Sequence, residues 1–229
     1  SAKTRILILN SPSNPTGCVY TRDELEKIAS VCVSKKIFCI SDEIYEKIIY
    51  DGRSHVSIAS LDKDIYDLTI TVNGLSKSHS MTGWRIGYLG APADISCAIS
   101  NLQDHSTSNP ASISQKAAVA ALTMPDSFSQ GMCAEFQRRR DYIAARLSRM
   151  PLISAVAPGG AFYVFCDISR TDLDSMSFAK RFLDEMLVAV IPGAAFGDDR
   201  YIRMSFATGM AQIEKGMDRL SQFLNDLKG

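Results

Sequence analysis

The sequence predicts an α/β fold, with a mostly parallel sheet in the first part of the chain and a small α+β domain in the last part. Up to about residue 91, short apolar runs alternate with helix signals, which is typical of the crossover units of a parallel sheet. From about residue 150 the pattern changes to two strands, a helix, a strand and a closing helix. We therefore predict two domains, residues 1–148 and residues 149–229.

Runs of apolar or β-branched residues predict the strands of the first domain. They are ILIL at residues 6–9, IFCI at 37–40, TITV at 69–72 and IGYL at 86–89. A helix connects the first two strands, because Thr21 and Glu24 have the spacing of a capping box at its start. The apolar face of this helix consists of Leu25, Ile28, Ala29 and Cys32.

Two further helices are predicted after Pro110. The first is the segment ASISQKAAVAAL, and the second follows Pro125. Apolar residues recur at helical spacing in the second helix, at Met132, Phe136, Ile143 and Leu147. The triplet from Arg138 to Arg140 in the same helix predicts a solvated face.

The last domain is predicted from shorter segments. Its strands are ISAVA at residues 153–157, FYVFC at 162–166 and YIRMSF at 201–206, with a helix near residues 177–188. The closing helix has one apolar face, made of Met210, Ile213, Met217, Leu220 and Leu224. This combination predicts a small α+β domain.

The composition excludes several classes of partner. The chain has 25 basic and 25 acidic residues, so it lacks the excess charge that recruits nucleic acid or an acidic membrane surface. No apolar run approaches the roughly 20 residues that a bilayer span requires. The six cysteines are scattered, and with the three histidines they form no zinc-ligand spacing. We therefore predict reduced thiols, a cytoplasmic location, no metal site and small molecules as partners.

Polar residues follow the first three predicted strands, where ligands of open α/β sheets bind. They are Asn10 and the turn SPSNPTG after the first strand, Asp42, Glu43 and Tyr45 after the second, and Asn73, Ser76 and Lys77 after the third. If these strands are parallel neighbours, the polar groups converge in one crevice. Each also has a structural explanation, because Asn14 suits a turn, Asp42 suits a helix cap, and Lys77 suits the surface. Their joint occurrence at successive strand ends favours a functional site.

Five segments carry a resemblance to a known family. SNPTG, SDEIY, GLSKSHSMTGWRIG, APGGAFYVF and YIRMSFA occur in the order and approximate spacing seen in class I/II aminotransferases, the fold type I pyridoxal phosphate enzymes related to aspartate aminotransferase. The resemblance covers nearly the whole chain. It implies part of the three-layer, mostly parallel sheet of the large domain of pyridoxal phosphate-dependent transferases, and the small C-terminal domain.

The resemblance also implies pyridoxal 5′-phosphate as the cofactor and a role for each matching residue. Lys77 would form the Schiff base with the cofactor and then act as general base and acid at the substrate Cα. Asp42 would pair with the pyridine nitrogen and keep it protonated, which makes the ring an electron sink. Tyr45 and Asn14 would donate hydrogen bonds to the 3-oxygen of the cofactor.

Two arginines are implied to bind anions. Arg85, with Ser76, would hold the cofactor phosphate, and Arg203 would clamp the substrate α-carboxylate, with Asn14 beside it. Some family members have another hydroxyl where this chain has Gly74. Asn109 lies where relatives reach towards a neighbouring subunit, and a turn before a helix explains it equally well.

The sequence therefore predicts a homodimeric aminotransferase that moves an amino group between an amino acid and a 2-oxo acid. The family normally has a long segment before the NPTG motif, with a phosphate loop and an aromatic residue stacked on the cofactor. These 229 residues contain neither, so we expect a C-terminal portion that is inactive in isolation. The alternatives are a lyase or synthase of the same fold, or a catalytically incomplete fragment.

Overall fold

The computed structural model describes residues 1 and 3–228, and its first sheet is mixed but mainly parallel. In spatial order its strands are β1 (Ile6–Asn10), β2 (Phe38–Asp42), β3 (Thr69–Gly74) and β4 (Gly87–Gly90). The pairs β1–β2 and β2–β3 are parallel, and β4 runs antiparallel to β3. The predicted mostly parallel sheet is confirmed.

Six α-helices lie between residue 22 and residue 147, a range that the structure describes in full. They are α1 (Arg22–Lys35), α2 (Lys63–Tyr66), α3 (Leu75–Ser78), α4 (Ala93–Asp104), α5 (Ser112–Thr123) and α6 (Ser127–Leu147). The predicted capping box of α1 is confirmed: Glu24 N donates to Thr21 Oγ1 at 3.3 Å, and Thr21 N donates to Glu24 Oε2 at 2.7 Å. The helices α2, α3 and α4 were not predicted from the sequence. A helix as short as α2 has too few residues for a periodic pattern.

The core of this sheet lies between its first strands and the helices α1 and α2. Its buried members are Leu9, Leu25, Ala29, Cys32, Cys39, Ile58 and Ile65. Burial of a leucine such as Leu25, which is 1% exposed, stabilises the fold by roughly 1.5–3 kcal/mol. A second cluster joins Leu75, at the start of α3, to Met81 and to Ala121 of α5.

The second sheet is antiparallel throughout. In spatial order its strands are β5 (Ser154–Ala155), β6 (Tyr163–Asp167), β8 (Tyr201–Ser205) and β7 (Ile191–Pro192). The helices α7 (Ser175–Met186) and α8 (Met210–Asp226) contact each other through the rings of Phe178, Phe182 and Phe223. These four strands and two helices confirm the predicted α+β class of this part.

The strand predicted at residues 153–157 is shorter than expected. Only Ser154 and Ala155 pair with β6. Beyond them the chain leaves the sheet, because Gly159 N and Gly160 N donate to Gly17 O at 2.9 and 3.0 Å. These hydrogen bonds replace the ladder that a longer strand would need.

The chain divides into two compact units that are not continuous in sequence. The first consists of Ser1–Pro12 and Val19–Gly131, and the second of Ser13–Cys18 and Met132–Gly229. The change between the units thus falls inside α6. The predicted domain boundary between residues 148 and 149 stays a prediction.

The solvated arginine face predicted on α6 is wrong for one of its members. Arg138 is exposed and pairs with Glu135 at 2.8 Å, but Arg140 is 5% exposed. Arg140 Nη1 donates to Pro158 O at 2.9 Å. Three residues on from Arg140, Ile143 is also buried, so the arginine lies on the inner face of the helix.

Among the described residues, no helix combines the length and the apolar composition that crossing a bilayer requires.

Candidate active site

The carboxyl ends of β1, β2 and β3 meet at one edge of the first sheet. In the parallel register Asn10 lies opposite Asp42, and Asp42 lies opposite Val72. Asn10 Nδ2 and Ser11 N both donate to the backbone oxygen of Asp42, at 3.1 and 3.2 Å. The first three predicted strands are therefore parallel neighbours, and the segments that follow them share one edge.

Asp42 begins a turn and does not cap a helix. Its Oδ1 accepts a hydrogen bond from Ile44 N at 3.1 Å, which is the geometry of an Asx turn. The next residues continue as turns, with Glu46 N donating to Glu43 O and Ile48 N donating to Tyr45 O. The helix-cap alternative is wrong, because no helix follows Asp42 in this described segment. Asp42 stays half-buried at the strand end, and Tyr45 is buried, at 4% exposure.

Glu43 is a buried carboxylate to which sequence reasoning assigned no role. Its Oε1 accepts hydrogen bonds from Ser57 Oγ at 2.7 Å and Ser41 Oγ at 2.9 Å, and its Oε2 accepts one from His55 Nε2 at 2.8 Å. Burial alone raises the pKa of Glu43, but the hydrogen bonds from His55, Ser57 and Ser41 outweigh burial and hold the pKa below its ordinary value. The network fixes the turn that carries Asp42 and Tyr45.

Glu43, Glu46 and His55 also have the spacing of a loose metal cluster. Their donor atoms lie within 4.8 Å of one another. Both oxygens of Glu43 already accept hydrogen bonds from neighbouring side chains. We therefore interpret this cluster as an internal hydrogen-bond network.

Ser76 and Lys77 lie in the single helical turn α3, directly after β3. Leu75, at the start of this turn, is 1% exposed and anchors it in the core. His79 N and Met81 N both donate to Leu75 O, at 3.1 and 3.3 Å. Ser76 and Lys77 are half-buried, so the turn places a hydroxyl and an amine at the same sheet edge as Asp42.

Close packing between Gly74 and Gly87 explains why this chain has glycine at position 74, where the family resemblance allows a hydroxyl-bearing residue. This residue pairs with Gly87 across β3 and β4, and a Cβ added to Gly74 would lie 3.2 Å from Gly87 Cα, Ile44 Cδ1 and Ile86 O. A serine at this position would require those atoms to move. The hydroxyl that some relatives carry there is therefore replaced by tight strand packing.

Arg85 is near the same end of the β3–β4 pair. Ser76 and Arg85 each lie two residues beyond the pair formed by Gly74 and Gly87. Arg85 is exposed, has a left-handed backbone with φ of 51°, and donates from Nη1 to Thr82 O at 2.8 Å. An exposed guanidinium beside a hydroxyl-bearing helical turn is suited to an anion.

Asn14 and Arg203 meet in the second unit. Arg203 Nη1 donates to Asn14 Oδ1 at 2.7 Å. The turn that carries Asn14 is fixed by Gly17, whose φ is 68° and whose carbonyl accepts from Gly159 N and Gly160 N. A Cβ on Gly17 would collide with Pro158 Cβ. The turn thus depends on glycine, and it holds the Asn14 amide beside the guanidinium.

Arg203 is a half-buried cation with two aromatic rings close to its guanidinium. Its Cζ lies 4.4 Å from the ring centroid of Tyr163 and 5.0 Å from that of Phe196. Its Nε is buried and has no hydrogen-bond partner among the described residues. Within the described part of the chain, no carboxylate pairs with this guanidinium. The arrangement leaves a positive charge that an anionic ligand would satisfy.

The predicted site residues therefore fall into two groups. Asp42, Tyr45, Ser76, Lys77 and Arg85 belong to the first unit, and Asn14 and Arg203 belong to the second.

Asn109 is exposed in the structure. Its Nδ2 donates to Pro110 O at 3.0 Å, which is a local turn contact and supports the structural explanation of this residue.

A cavity of about 500 Å³ lies elsewhere on the second unit. Phe165 and Tyr201, whose rings stack at 4.7 Å, form part of its wall together with Asp167 and Asp198. None of the predicted site residues lines this cavity. The predicted site residues thus lie outside this cavity.

Comparison with known proteins gives consistent matches. The family model described as Aminotransferase class I and II matches residues 1–220. An aspartate aminotransferase from Bacillus sp. (strain YM-2) is 47% identical over 227 residues, which cover 97% of this chain and 58% of that protein. The aspartate aminotransferase of Bacillus subtilis (strain 168) is 44% identical over 229 residues, with the same two coverages. The chain thus spans about 58% of the length of these relatives.

Solved structures are similar over the whole chain. The aromatic aminotransferase from Pyrococcus horikoshii OT3 has a TM-score of 0.95 and 43% identity, and the match covers 100% of this chain and 62% of that one. The aspartate aminotransferase from Rhizobium meliloti has a TM-score of 0.94 and 35% identity, with coverages of 98% and 59%.

Proposed function

This chain belongs to the class I and II aminotransferase family, and from that premise we propose that the protein moves an amino group between an amino acid and a 2-oxo acid. The observation that carries the proposal is the shared sheet edge, where the Asp42 turn and the Lys77 turn follow neighbouring parallel strands. The similarity to aspartate and aromatic-amino-acid aminotransferases supports the same reaction class.

The residues of the first unit fit pyridoxal 5′-phosphate. Lys77 supplies an amine for covalent attachment, Asp42 a half-buried carboxylate, and Tyr45 a phenol from a turn that Glu43 fixes. Ser76 and the exposed Arg85 supply a hydroxyl and a guanidinium for the phosphate. When bound, the cofactor would supply the electron sink that makes the substrate Cα–H acidic.

Each residue would then have a defined role on the protein side. Asp42 would hold a proton at the pyridine nitrogen, because a carboxylate beside that nitrogen favours its charged form. Tyr45 and Asn14 would donate hydrogen bonds to the 3-oxygen. Lys77 would supply the amine for attachment, and its free amine would serve as the general base and acid at the substrate Cα.

Arg203 is the proposed handle for the substrate α-carboxylate. Its guanidinium has no carboxylate partner in the described part of the chain, and Asn14 fixes its position through Nη1. A carboxylate can bind two N–H groups of a guanidinium in parallel, which sets orientation as well as affinity. We propose amino acids and 2-oxo acids as substrates on this basis.

We propose a homodimer in the cytoplasm as the working form of the protein. The six cysteines are all free thiols, which supports a reducing compartment. The 229 residues alone are proposed to have little or no transaminase activity. The cofactor contacts named here come from one edge of the sheet, and a pose that is loose by about 1 Å costs on the order of a hundredfold in rate.

Borohydride trapping tests the cofactor site. The protein is incubated with pyridoxal 5′-phosphate, reduced with borohydride, digested and mapped by mass spectrometry. We expect the reduced adduct on Lys77, and none in a Lys77→Ala variant. An adduct on Lys47 or Lys116 in place of Lys77 would contradict the assignment.

A donor panel separates the proposed reaction from its same-fold alternatives. With an amino acid and a 2-oxo acid, a transaminase forms a new amino acid without releasing ammonia. A lyase or synthase that works by elimination releases ammonia or another leaving group from a single substrate. Ammonia release without amino transfer would favour the lyase, and no turnover in the complete protein would favour an incomplete or binding protein.

A further inference from the structure

We infer that Tyr163 and Phe196 are positioning residues that hold Arg203 ready for a carboxylate ligand by bracketing its guanidinium with two aromatic faces. The inference rests on the proposed function, in which Arg203 binds the substrate carboxylate. It assigns a role to two residues that are not part of the sequence motif around Arg203.

The bracket is seen directly in the ring distances. The guanidinium carbon lies 4.4 Å from the Tyr163 centroid and 5.0 Å from the Phe196 centroid, both within the range of a cation–π contact. Tyr163 is 8% exposed and belongs to β6, next to the strand of Arg203, while Phe196 is 36% exposed and ends the short helix Gly193–Phe196. The two rings therefore come from different elements and meet at one side chain.

Two aromatic rings can stabilise the Arg203 guanidinium without competing with the carboxylate of the ligand, which an acidic side chain would do. A half-buried guanidinium needs stabilisation before the ligand arrives, because removing the charge from water is unfavourable. A carboxylate in the protein would provide it, but would compete with the carboxylate of the ligand. Ring faces attract the cation through their quadrupole without neutralising it. The charge of Arg203 thus stays available.

The bracket also reduces the freedom of a long side chain. An arginine loses rotamer entropy when it is fixed in one geometry, and this loss weakens binding if it occurs only on ligand binding. The Asn14 amide holds Nη1 at 2.7 Å, and two rings within cation–π distance limit the space into which the guanidinium can move. We therefore expect part of the ordering to be complete before the carboxylate binds.

The test uses titration calorimetry on the complete protein with succinate as the carboxylate probe. Succinamide, which has a similar shape but no charge, is the matched probe. An Arg203→Lys variant marks the heat that depends on the guanidinium. Tyr163→Leu and Phe196→Leu remove one ring each, and Tyr163→Phe keeps the ring. Thermal unfolding of each variant shows whether it is folded.

We expect each leucine variant to weaken succinate binding about fivefold, with Tyr163→Phe close to the unchanged protein. Succinamide binding should not follow this pattern. Succinate binding that depends on Arg203 but is as strong in both leucine variants as in the unchanged protein would overturn the inference and leave the carboxylate handle standing. If Tyr163→Leu does not fold, the result for Phe196→Leu decides the test, because Phe196 is the more exposed of the two residues. Succinate heat that is unaffected by Arg203→Lys would overturn both the handle and its bracket.

Discussion

Glu43 lies in the chain between two proposed cofactor ligands, Asp42 and Tyr45, and its hydrogen bonds hold the turn that carries them. It stands next to Asp42 in the chain and two residues before Tyr45, and three side chains donate to its carboxylate. A carboxylate with this many donors stays charged inside the protein. The positions of the proposed cofactor ligands thus depend on a residue that is not expected to contact the cofactor.

Glu43→Gln should therefore lower stability in a pH-dependent way. The pKa of Glu43 is held below its ordinary value of 4.5, so its contribution is fully present above that pH and is lost as the pH falls through the lower, folded-state pKa. At pH 7 we expect a loss of about 1–3 kcal/mol, because a buried hydrogen-bond network loses an acceptor. Denaturant unfolding of the variant and the unchanged protein, between pH 3 and 7, measures this difference in the free energy of unfolding. A difference from the unchanged protein that grows towards acid pH would contradict the assignment.

The cysteines give a second prediction at this scale. Cys18 and Cys97 are exposed, whereas Cys32, Cys39 and Cys166 are buried. Burial raises the pKa of Cys39 to about 12, so its reactive thiolate is scarce at neutral pH. In the native protein we expect a thiol reagent to label Cys18 and Cys97 first, as read by mass spectrometry. Rapid labelling of Cys39 under native conditions would show that the core opens.

Sequence reasoning succeeds in placing residues at or shortly after the ends of strands, and their roles stay predictions. Asp42 ends β2, Lys77 lies in the helical turn after β3, and the parallel register brings their segments to one edge. Glu43 and Arg140 were not understood, since their partners are distant in sequence. His55 lies 12 residues from Glu43, and Pro158 lies 18 residues from Arg140. Only the fold shows that these groups meet.

Among the elements, the turn at residues 13–18 depends strongly on one residue type. Gly17 has a φ of 68°, and a Cβ there would collide with Pro158 Cβ and lie 2.9 Å from Gly160 O. Gly52 has nearly the same φ, 66°, but nothing lies within 4 Å of an added Cβ. Comparing these two glycines therefore separates the cost of a left-handed backbone from the cost of close packing.

Gly17→Ala should cost more stability than Gly52→Ala. For Gly52→Ala we expect about 1 kcal/mol, the cost of a left-handed conformation for a residue with a Cβ. For Gly17→Ala we expect at least about 2 kcal/mol, because the turn must also move away from Pro158. Denaturant midpoints of the two variants give the comparison. Equal losses would mean that the close approach relaxes without penalty.

Helices and strands were predicted unequally well for a physical reason. The start of α1 is encoded locally, since Thr21 and Glu24 satisfy each other within one turn. The strands β5 and β7 have two residues each and form only because β6 and β8 provide partners. The sequence therefore predicted β5 too long and did not predict β7, because two paired residues are too few for a pattern to define a strand.

The whole molecule has an open apolar side on its first sheet. β1 lies at the edge of the sheet order, and its residues Ile6 and Ile8 are 51% and 72% exposed. Exposed apolar residues on an edge strand favour association with other chains. We expect the 229-residue chain to self-associate at micromolar concentration through this strand.

Sedimentation velocity of the 229-residue chain tests this expectation. Ile8→Lys should shift the distribution towards the monomer, because the charge opposes pairing at the exposed edge. Val31→Lys is the matched control, since Val31 of α1 is also exposed, at 56%, but lies outside the strand. An equal effect of both substitutions would place the association surface elsewhere.

The discontinuity of the two units has a consequence for gene recombination within the family. Residues 13–18 belong with the C-terminal unit, although they are encoded near the start of the chain. A crossover between two relatives at residue 131 would combine the Gly17 turn of one parent with the Gly159 and Gly160 of the other, and Asn14 with a foreign Arg203. Hybrids that carry residues 13–18 and 132–229 from the same parent keep both sets of hydrogen bonds. The residues around Asn14 and Arg203 are therefore encoded by two separate stretches of the gene, which must come from the same parent.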